Sequence, residues 1–264
     1  MKTLEESIAA AMDAQQDTAI IPFLPYIFQD FWELGTPSEI VINLIQGNCK
    51  NYTSLNVLDL GCGKGATSVK LATALKCNCY GVDAIPDFIE AAKTKAREYG
   101  VDTLCRLEVG DVREKIKELD KFDVIILGAT GSIFDDYYTA LTILSKHLTD
   151  EGIIIIEEGY INDMSLFQHP TYTFRKDLLK QFEQAGMELI DETLCSYGEI
   201  SDISKDMENI SIRCNELKVK YPEKSSLFEN YVQNQASEYD VLENEMSGSI
   251  MVLKSAQTSK IGSR

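Results

Sequence analysis

Three short stretches in the first half of the chain combine acids with glycines in a pattern that can do chemistry. The first is VLDLGCGKG. Asp59 sits inside an apolar run, and Gly61, Gly63 and Gly65 follow on alternate positions. Glycines lack a Cβ, so the backbone can turn sharply there and a ligand can approach closely. The second stretch is YGVDAIPDF. It places Asp83 about twenty residues beyond the glycines, where a carboxylate can accept both hydroxyls of a ribose. The third is VGDVRE, whose Asp111 and Val112 backbone can bond the edge of an adenine. Each stretch also has a plainer reading, a tight turn for the glycines and helix caps for the two aspartates. Their coincidence at the ends of three successive apolar runs favours a nucleoside.

The elements that must hold these residues alternate strictly. NVLDLG, CNCYGVDA, LCRLEVGD, FDVIILGAT, GIIIIEEGY and MELIDETLC read as strands, with helical patterns between them. Apolar strands alternating with helices imply a parallel sheet covered on both faces, that is, an α/β doubly wound fold. Ligands of such sheets bind beyond the carboxyl ends of the strands. GSIMVLKS is a last strand with no helix after it. TPSE reads as a helix start, with Thr36 as cap, Pro37 at the first helical position and Glu39 closing a capping box. Ahead of it lies a helix over residues 4–15, with Leu4, Ile8, Ala11 and Met12 at helical spacing. An aromatic segment, IIPFLPYIFQDFWELG, follows, and its two prolines prevent one continuous helix. The organisation is therefore an N-terminal arm over residues 1–35, a core over 36–197 and 248–256, and a polar, helical insert over 198–247.

Composition removes other classes. Against 25 Lys and Arg stand 42 Asp and Glu, a formal net charge of -17 over 264 residues. Such a field repels nucleic-acid backbones and anionic membranes. No apolar run reaches the roughly 20 residues of a membrane helix. The start, MKTLEESIAAAMDAQQ, is acidic and lacks the features of a secretory signal. The seven cysteines form no CxxC pair, and there are two histidines, so no metal site is expected. Reduced core thiols in a cytoplasmic protein, monomer or homodimer, are the natural reading.

VLDLGCGKG, GVD, GDV and FDVIILG together resemble the class I S-adenosylmethionine-dependent methyltransferases of the small-molecule type. The glycines are spaced GxGxG after an acid, not GxGxxG as in dinucleotide enzymes. A dinucleotide rests its pyrophosphate on a helix N-terminus, whereas S-adenosylmethionine has no phosphate. The resemblance implies a seven-stranded, mostly parallel sheet with an antiparallel last strand. It also implies that Asp59, Gly61, Cys62, Gly63 and Gly65 hold the methionine part of S-adenosyl-L-methionine, with Asp59 facing its ammonium. Asp83 takes the ribose, Ala84 or Ile85 lies against the adenine, and Asp111 and Val112 read its edge. Gly128 stands near the transferred methyl, and Gly35 approaches the cofactor. The small size of Cys62 suffices to explain its place in the loop. The product would be S-adenosyl-L-homocysteine.

The reaction needs in-line alignment, and a base only when the acceptor arrives protonated. Thr130, Glu157, Glu158, Tyr160 and His169 lie near the ends of the fourth and fifth strands; Glu158, Tyr160 and His169 are the catalytic candidates. LGAT lacks the NPPY-type motif of enzymes that methylate base amines. A small-molecule acceptor is expected, with the arm as a lid and the insert as an acceptor cap. A protein acceptor, a non-catalytic regulatory protein that binds the cofactor, and a nicotinamide oxidoreductase are the competing readings.

Overall fold

Runs such as Val57–Leu60 and Ile153–Ile156 are apolar at nearly every position, so both faces of their strands must be covered. The computed structural model of the chain, which describes residues 2–15, 17–128, 133–195 and 203–256, meets that requirement with one sheet. Its strands are β1 (Asn56–Leu60), β2 (Asn78–Asp83), β3 (Cys105–Val109), β4 (Phe122–Leu127), β5 (Leu148–Tyr160), β6 (Met187–Cys195) and β7 (Ser247–Ser255). The order is β3-β2-β1-β4-β5-β7-β6. β1 to β5 pair in parallel, and β7 lies antiparallel between β5 and β6. The chain starts in the middle, winds outward to β3, then returns to β4. The strand ends of β1 and β4 therefore face a crevice.

Strand alternation divides the side chains between two layers. Val57, Val124, Ile126, Ile153 and Ile155 face α3 (Ser38–Asn48), α4 (Ala66–Leu75) and α5 (Pro86–Glu98). Leu58, Leu60, Ile125, Leu127, Ile154 and Ile156 face α6 (Val112–Lys115), α7 (Tyr137–Leu144) and α8 (Arg175–Gln184). The seven cysteines are free thiols, all buried except the half-buried Cys49.

A third apolar cluster joins segments far apart in sequence. Ile20 and the short α2 (Leu24–Ile27) pack with Ile210 and Leu217 of α9 (Ile203–Lys220) and Phe228 of α10 (Ser225–Asn244), over Ile85 and Phe88 at the start of α5. Phe23 meets Tyr221 and Phe228 edge-on, at 5.3 and 5.0 Å between ring centroids. The aromatics of the arm and the insert thus pack one against the other in a single layer beside the sheet. Residues 198–202 of the insert lie outside the described residues.

Two helix starts differ from expectation. α1 (Leu4–Ala11) opens with a capping box, Glu6 N–H to Thr3 Oγ1 at 3.2 Å and Thr3 N–H to Glu6 Oε2 at 2.7 Å. It ends at Ala11 rather than 15 because Asp13 and Gln15 take φ of 54° and 48°, in the left-handed region. α3 is capped by Pro37, not Thr36. Thr36 is committed elsewhere: a Cβ on Gly128 would lie 1.9 Å from its Oγ1.

Gly65 caps α4 with φ of 72°, and a Cβ there would sit 2.7 Å from the Cβ of Ala92 on α5. Gly65→Ala is expected to cost about 2–4 kcal/mol, combining a left-handed backbone with overpacking. Urea unfolding measures it, and a loss below about 1 kcal/mol would show that the α4–α5 contact relaxes freely. Phe228→Ala should cost about 3–5 kcal/mol through the cavity it leaves in the arm–insert layer. A second, separate unfolding transition in that variant would mean that the layer does not unfold with the sheet.

Candidate functional site

A cleft with about 120 Å³ of internal space opens at the carboxyl ends of β1 to β4. Its floor comes from the loops after those strands: Asp59, Gly61, Cys62 and Gly63, then Asp83, Ala84 and Ile85, then Gly110, Asp111 and Val112, then Gly128. Its roof comes from Leu4, Ser7, Ile8, Ala11 and Met12 of the first helix, with Trp32, Leu34 and Thr36 at one side. The apolar stripe of α1 thus borders the cleft, and its Ile8 and Met12 also pack against the third apolar cluster.

The pleat explains Asp59. It alternates with Leu58 and so points with Val57 toward α4, where Ser68 Oγ donates to its Oδ2 at 2.6 Å. Asp59 is 4% exposed. Burial, with nearby Asp83 adding to it, pushes its carboxyl up to about 6 against the pull of Ser68. Asp83 clamps the glycine loop to β2: Gly63 N–H donates to its Oδ2 and Ile85 N–H to its Oδ1, both at 2.8 Å. Burial raises Asp83 as well. Gly61 and Cys62 N–H both reach Val82 O, at 2.8 and 3.0 Å. That tight return requires φ of 73° at Gly61 and 52° at Gly63. Each Asp83 oxygen keeps acceptor capacity toward the cleft.

Asp111 caps α6, accepting from Arg113 N–H at 2.9 Å. The Arg113 guanidinium grips the same carboxylate, Nη2 to Oδ2 at 2.7 Å, and holds it below its ordinary range. Lys64, the cation of the glycine loop, turns toward the arm. Its Nζ donates to Phe31 O at 2.7 Å and to Phe28 O, and lies 5.5 Å over the Phe88 ring. Burial pulls it down to about 8. Trp32 Nε1 donates back to Lys64 O at 3.2 Å. With Lys64 held by the arm's carbonyls and Arg113 paired with Asp111, Asp59 and Asp83 set the sign of the cleft. It suits a cation and repels phosphate.

Two expected cofactor residues lie outside the lining. Gly65 serves helix packing, and Gly35, at φ of 83°, turns the chain between Leu34 and Thr36, which do line the cleft. Cys62 lies over Gly81, where a Cβ would come within 2.9 Å of its Sγ. Burial raises its thiol far above the ordinary value, so it is no thiolate nucleophile. Sequence reasoning passed over Lys64, Ser68 and Arg113. Lys64 and Arg113 stand inside the quoted motifs, and two cations beside three acids were a usable signal.

The three catalytic candidates separate. Glu158 accepts from Tyr137 OH and from Gly159 N–H at 3.0 Å, and burial pushes it up to about 7 despite the tyrosine bond. β4 and β5 last pair at Leu127 and Ile156, and Glu158 lies two residues beyond that pair, outside the cleft lining. Thr130 lies outside the described residues. Tyr160 OH donates to Glu192 at 3.2 Å, and Arg175 covers its ring and pairs with Glu192 at 2.5 Å. That side chain is tied to β6. His169 Nδ1 accepts from Thr171 N–H at 3.3 Å and Tyr172 N–H at 3.4 Å, closing a turn. Among the described residues, no three His, Cys, Asp or Glu side chains group as a metal ion needs. Nor is any described helix long and apolar enough to cross a membrane.

Comparison with known proteins bears on this geometry. Residues 52–185 match a family model described as a methyltransferase domain. An uncharacterized methyltransferase of Bacillus subtilis, YcgJ, is 29% identical over 104 residues, which cover 39% of this chain and 40% of that protein. The malonyl-[acyl-carrier protein] O-methyltransferase of Bacillus cytotoxicus is 28% identical over 171 residues, covering 64% of this chain and 54% of that one. The chain thus spans about half the length of the curated relatives it matches. A crystal structure of a SAM-dependent methyltransferase from Geobacter sulfurreducens, in complex with S-adenosyl-L-homocysteine, superposes with a TM-score of 0.73 at 17% identity, covering 89% of this chain and 98% of that one. The family model takes in just over half of the chain, and the sheet has the fold of the superposed methyltransferase, so this protein belongs to the methyltransferase-domain family, in its class I, Rossmann-like form.

Proposed function

We propose that the protein transfers a methyl group from S-adenosyl-L-methionine to a small-molecule acceptor. The observation that carries this reading is the cleft's sign and shape: two carboxylates, the buried Asp59 and the half-buried Asp83, beside a glycine loop whose lysine is held elsewhere. The residues present fit that cofactor, which carries an ammonium, a ribose diol and an amine-bearing base, and no phosphate. When bound, it supplies an electrophilic methyl group on a sulfonium.

The chain's own groups have these roles. Asp59, when ionised, complements the ammonium, with Gly61, Cys62 and Gly63 lining that end. Asp83 accepts the ribose hydroxyls. Ala84 and Ile85 flank the adenine, Asp111 accepts from its amine, and Val112 N–H, first in its helix and without an intrahelical acceptor, donates to its edge. Gly128 borders the place of transfer. α1 roofs the cleft with apolar side chains and excludes water. Glu158, poised near neutrality beside Tyr137, is the proton acceptor for a hydroxyl-bearing acceptor. The arm acts as lid and the insert as acceptor cap. The names of the curated relatives, O-methylation of a malonyl group among them, support a small acceptor over a protein surface or a purely regulatory role.

Calorimetry with S-adenosyl-L-homocysteine tests the reading: binding is expected, and binding of NAD in its place would overturn it. Asp83→Ala should weaken binding by about 1–3 kcal/mol, the scale of a lost bond to a charged group; unchanged affinity in the folded variant would remove the ribose assignment. In an acceptor screen that follows cofactor turnover, Glu158→Gln should slow transfer to hydroxyl acceptors while leaving S-adenosyl-L-homocysteine affinity intact.

The pH dependence has a definite sign. Below about 6 Asp59 carries its proton and no charge, so it does not attract a cation. Affinity for S-adenosyl-L-homocysteine, which keeps the ammonium, should climb about tenfold per unit as pH rises toward 6 and then level off. Binding near pH 6 should release a proton to the buffer. A flat profile from pH 5 to 8 would place the ammonium away from Asp59.

A further inference from the structure

One guanidinium touches both the floor and the roof of the cleft. Arg113 stands on α6, directly after Asp111, and directs Nε and Nη2 to that carboxylate at 3.0 and 2.7 Å. Its remaining nitrogen, Nη1, donates to Lys2 O at 2.8 Å and to Ser7 Oγ at 3.3 Å, both at the N-terminal end of α1. Ser7 itself lines the cleft. The pair is shielded, with side-chain exposures of 13% for Arg113 and 19% for Asp111. The other end of α1 is held independently: Met12 O accepts from Tyr231 OH at 2.9 Å and from Gln235 Nε2 at 3.1 Å, both on α10. Beyond that anchor Asp13 and Gln15 take the left-handed backbone region.

We infer that Arg113 is a positioning residue that couples recognition of the adenine at Asp111 to closure of α1 over the cleft. The inference rests on the cofactor reading above. A carboxylate offers about four lone-pair positions. Arg113 N–H and Nε occupy Oδ1, Nη2 takes one position on Oδ2, and Nε is shared with Oδ2 at 3.2 Å, so an amine in the cleft would bond Oδ2 in place of that longest contact. The same grip keeps Asp111 ionised, so it can only accept, and it favours a donor such as adenine's amine over a keto group. An amine bonded there orders the carboxylate, the carboxylate orders the guanidinium, and the guanidinium holds Lys2 and Ser7. Coupling of this kind is reciprocal: a closed roof must also tighten the hold on the nucleoside. A lysine cannot perform both tasks, because one ammonium lacks the planar fork that grips a carboxylate while a third nitrogen points elsewhere.

The test is hydrogen exchange and calorimetry on the full chain, with S-adenosyl-L-homocysteine as the probe. In the wild type the probe should raise protection over residues 61–67 and over 3–12. In Arg113→Lys and Arg113→Met the rise over 61–67 should persist while the rise over 3–12 disappears, and affinity should fall about tenfold, within the usual span of coupling between sites. A merely structural role would lower protection equally with and without the probe and leave the ligand-dependent difference in place. An undiminished rise over 3–12 in either folded variant overturns the inference while the cofactor reading stands. Failure of the wild type to bind the probe would instead overturn the cofactor reading and the inference with it.

Discussion

The cleft's character depends on where Lys64 puts its charge. A lysine inside a glycine loop at the end of a parallel strand is well placed to meet an anion. Here burial against the arm and the carbonyls of Phe28 and Phe31 draw the ammonium the other way. The consequence is double. The cleft keeps its carboxylates without a neutralising cation, and the arm is tied to the loop that any ligand must touch. Trp32 returns a bond to the backbone of Lys64, so loop and arm hold each other. Ligand sign and arm placement are thus decided by one interaction.

The parallel topology supplies the rest of the site's geometry. Because β1, β2 and β3 run the same way, Asp59, Asp83 and Asp111 meet on one rim, with Gly128 beside them after β4. Asp83 shows how closely structure and site coincide. Its two oxygens hold the N–H groups of Gly63 and Ile85, so the carboxylate available to a ligand is the same one that shapes the loop. The plain reading of Asp111 as a helix cap and the functional one are likewise both satisfied, since the cap bond uses part of the carboxylate's capacity. Burying Asp59 and Asp83 raises their carboxyl groups, a cost that a bound cation would offset.

The helical layer beside the sheet is built from the two ends of the chain. The arm supplies Ile20, Leu24 and Phe28, the insert supplies Ile210, Leu217 and Phe228, and α5 gives the layer its seat through Ile85 and Phe88. Ile85 also lines the cleft, so the layer and the site share a wall. α1 is held at one end by α10 and at the other by Arg113, and it presents its apolar stripe to the cleft between these anchors.

Whereas the antiparallel direction of the last strand was an expectation of the family resemblance alone, the sequence by itself determined the strands, their parallel character and the acids and glycines of the rim. Those features are written in local patterns: apolar runs of strand length, the alternation with helices, and glycines where the backbone must turn left-handed. Only the tertiary structure decided what each polar side chain faces. Gly65 reads like its two neighbours in sequence, yet it serves the close approach of α4 to Ala92. Leu4, Ile8, Ala11 and Met12 read as a face to be buried, and only the tertiary structure shows that they line the cleft. Tyr160 and Glu158 differ by two positions on one strand, but Tyr160 is drawn to Glu192 and Arg175 on one side and Glu158 to Tyr137. The physical reason is that periodicity fixes the direction of a side chain relative to its own element. Its partners come from elements tens to hundreds of residues away, as Arg113 with Lys2 and Tyr231 with Met12 show.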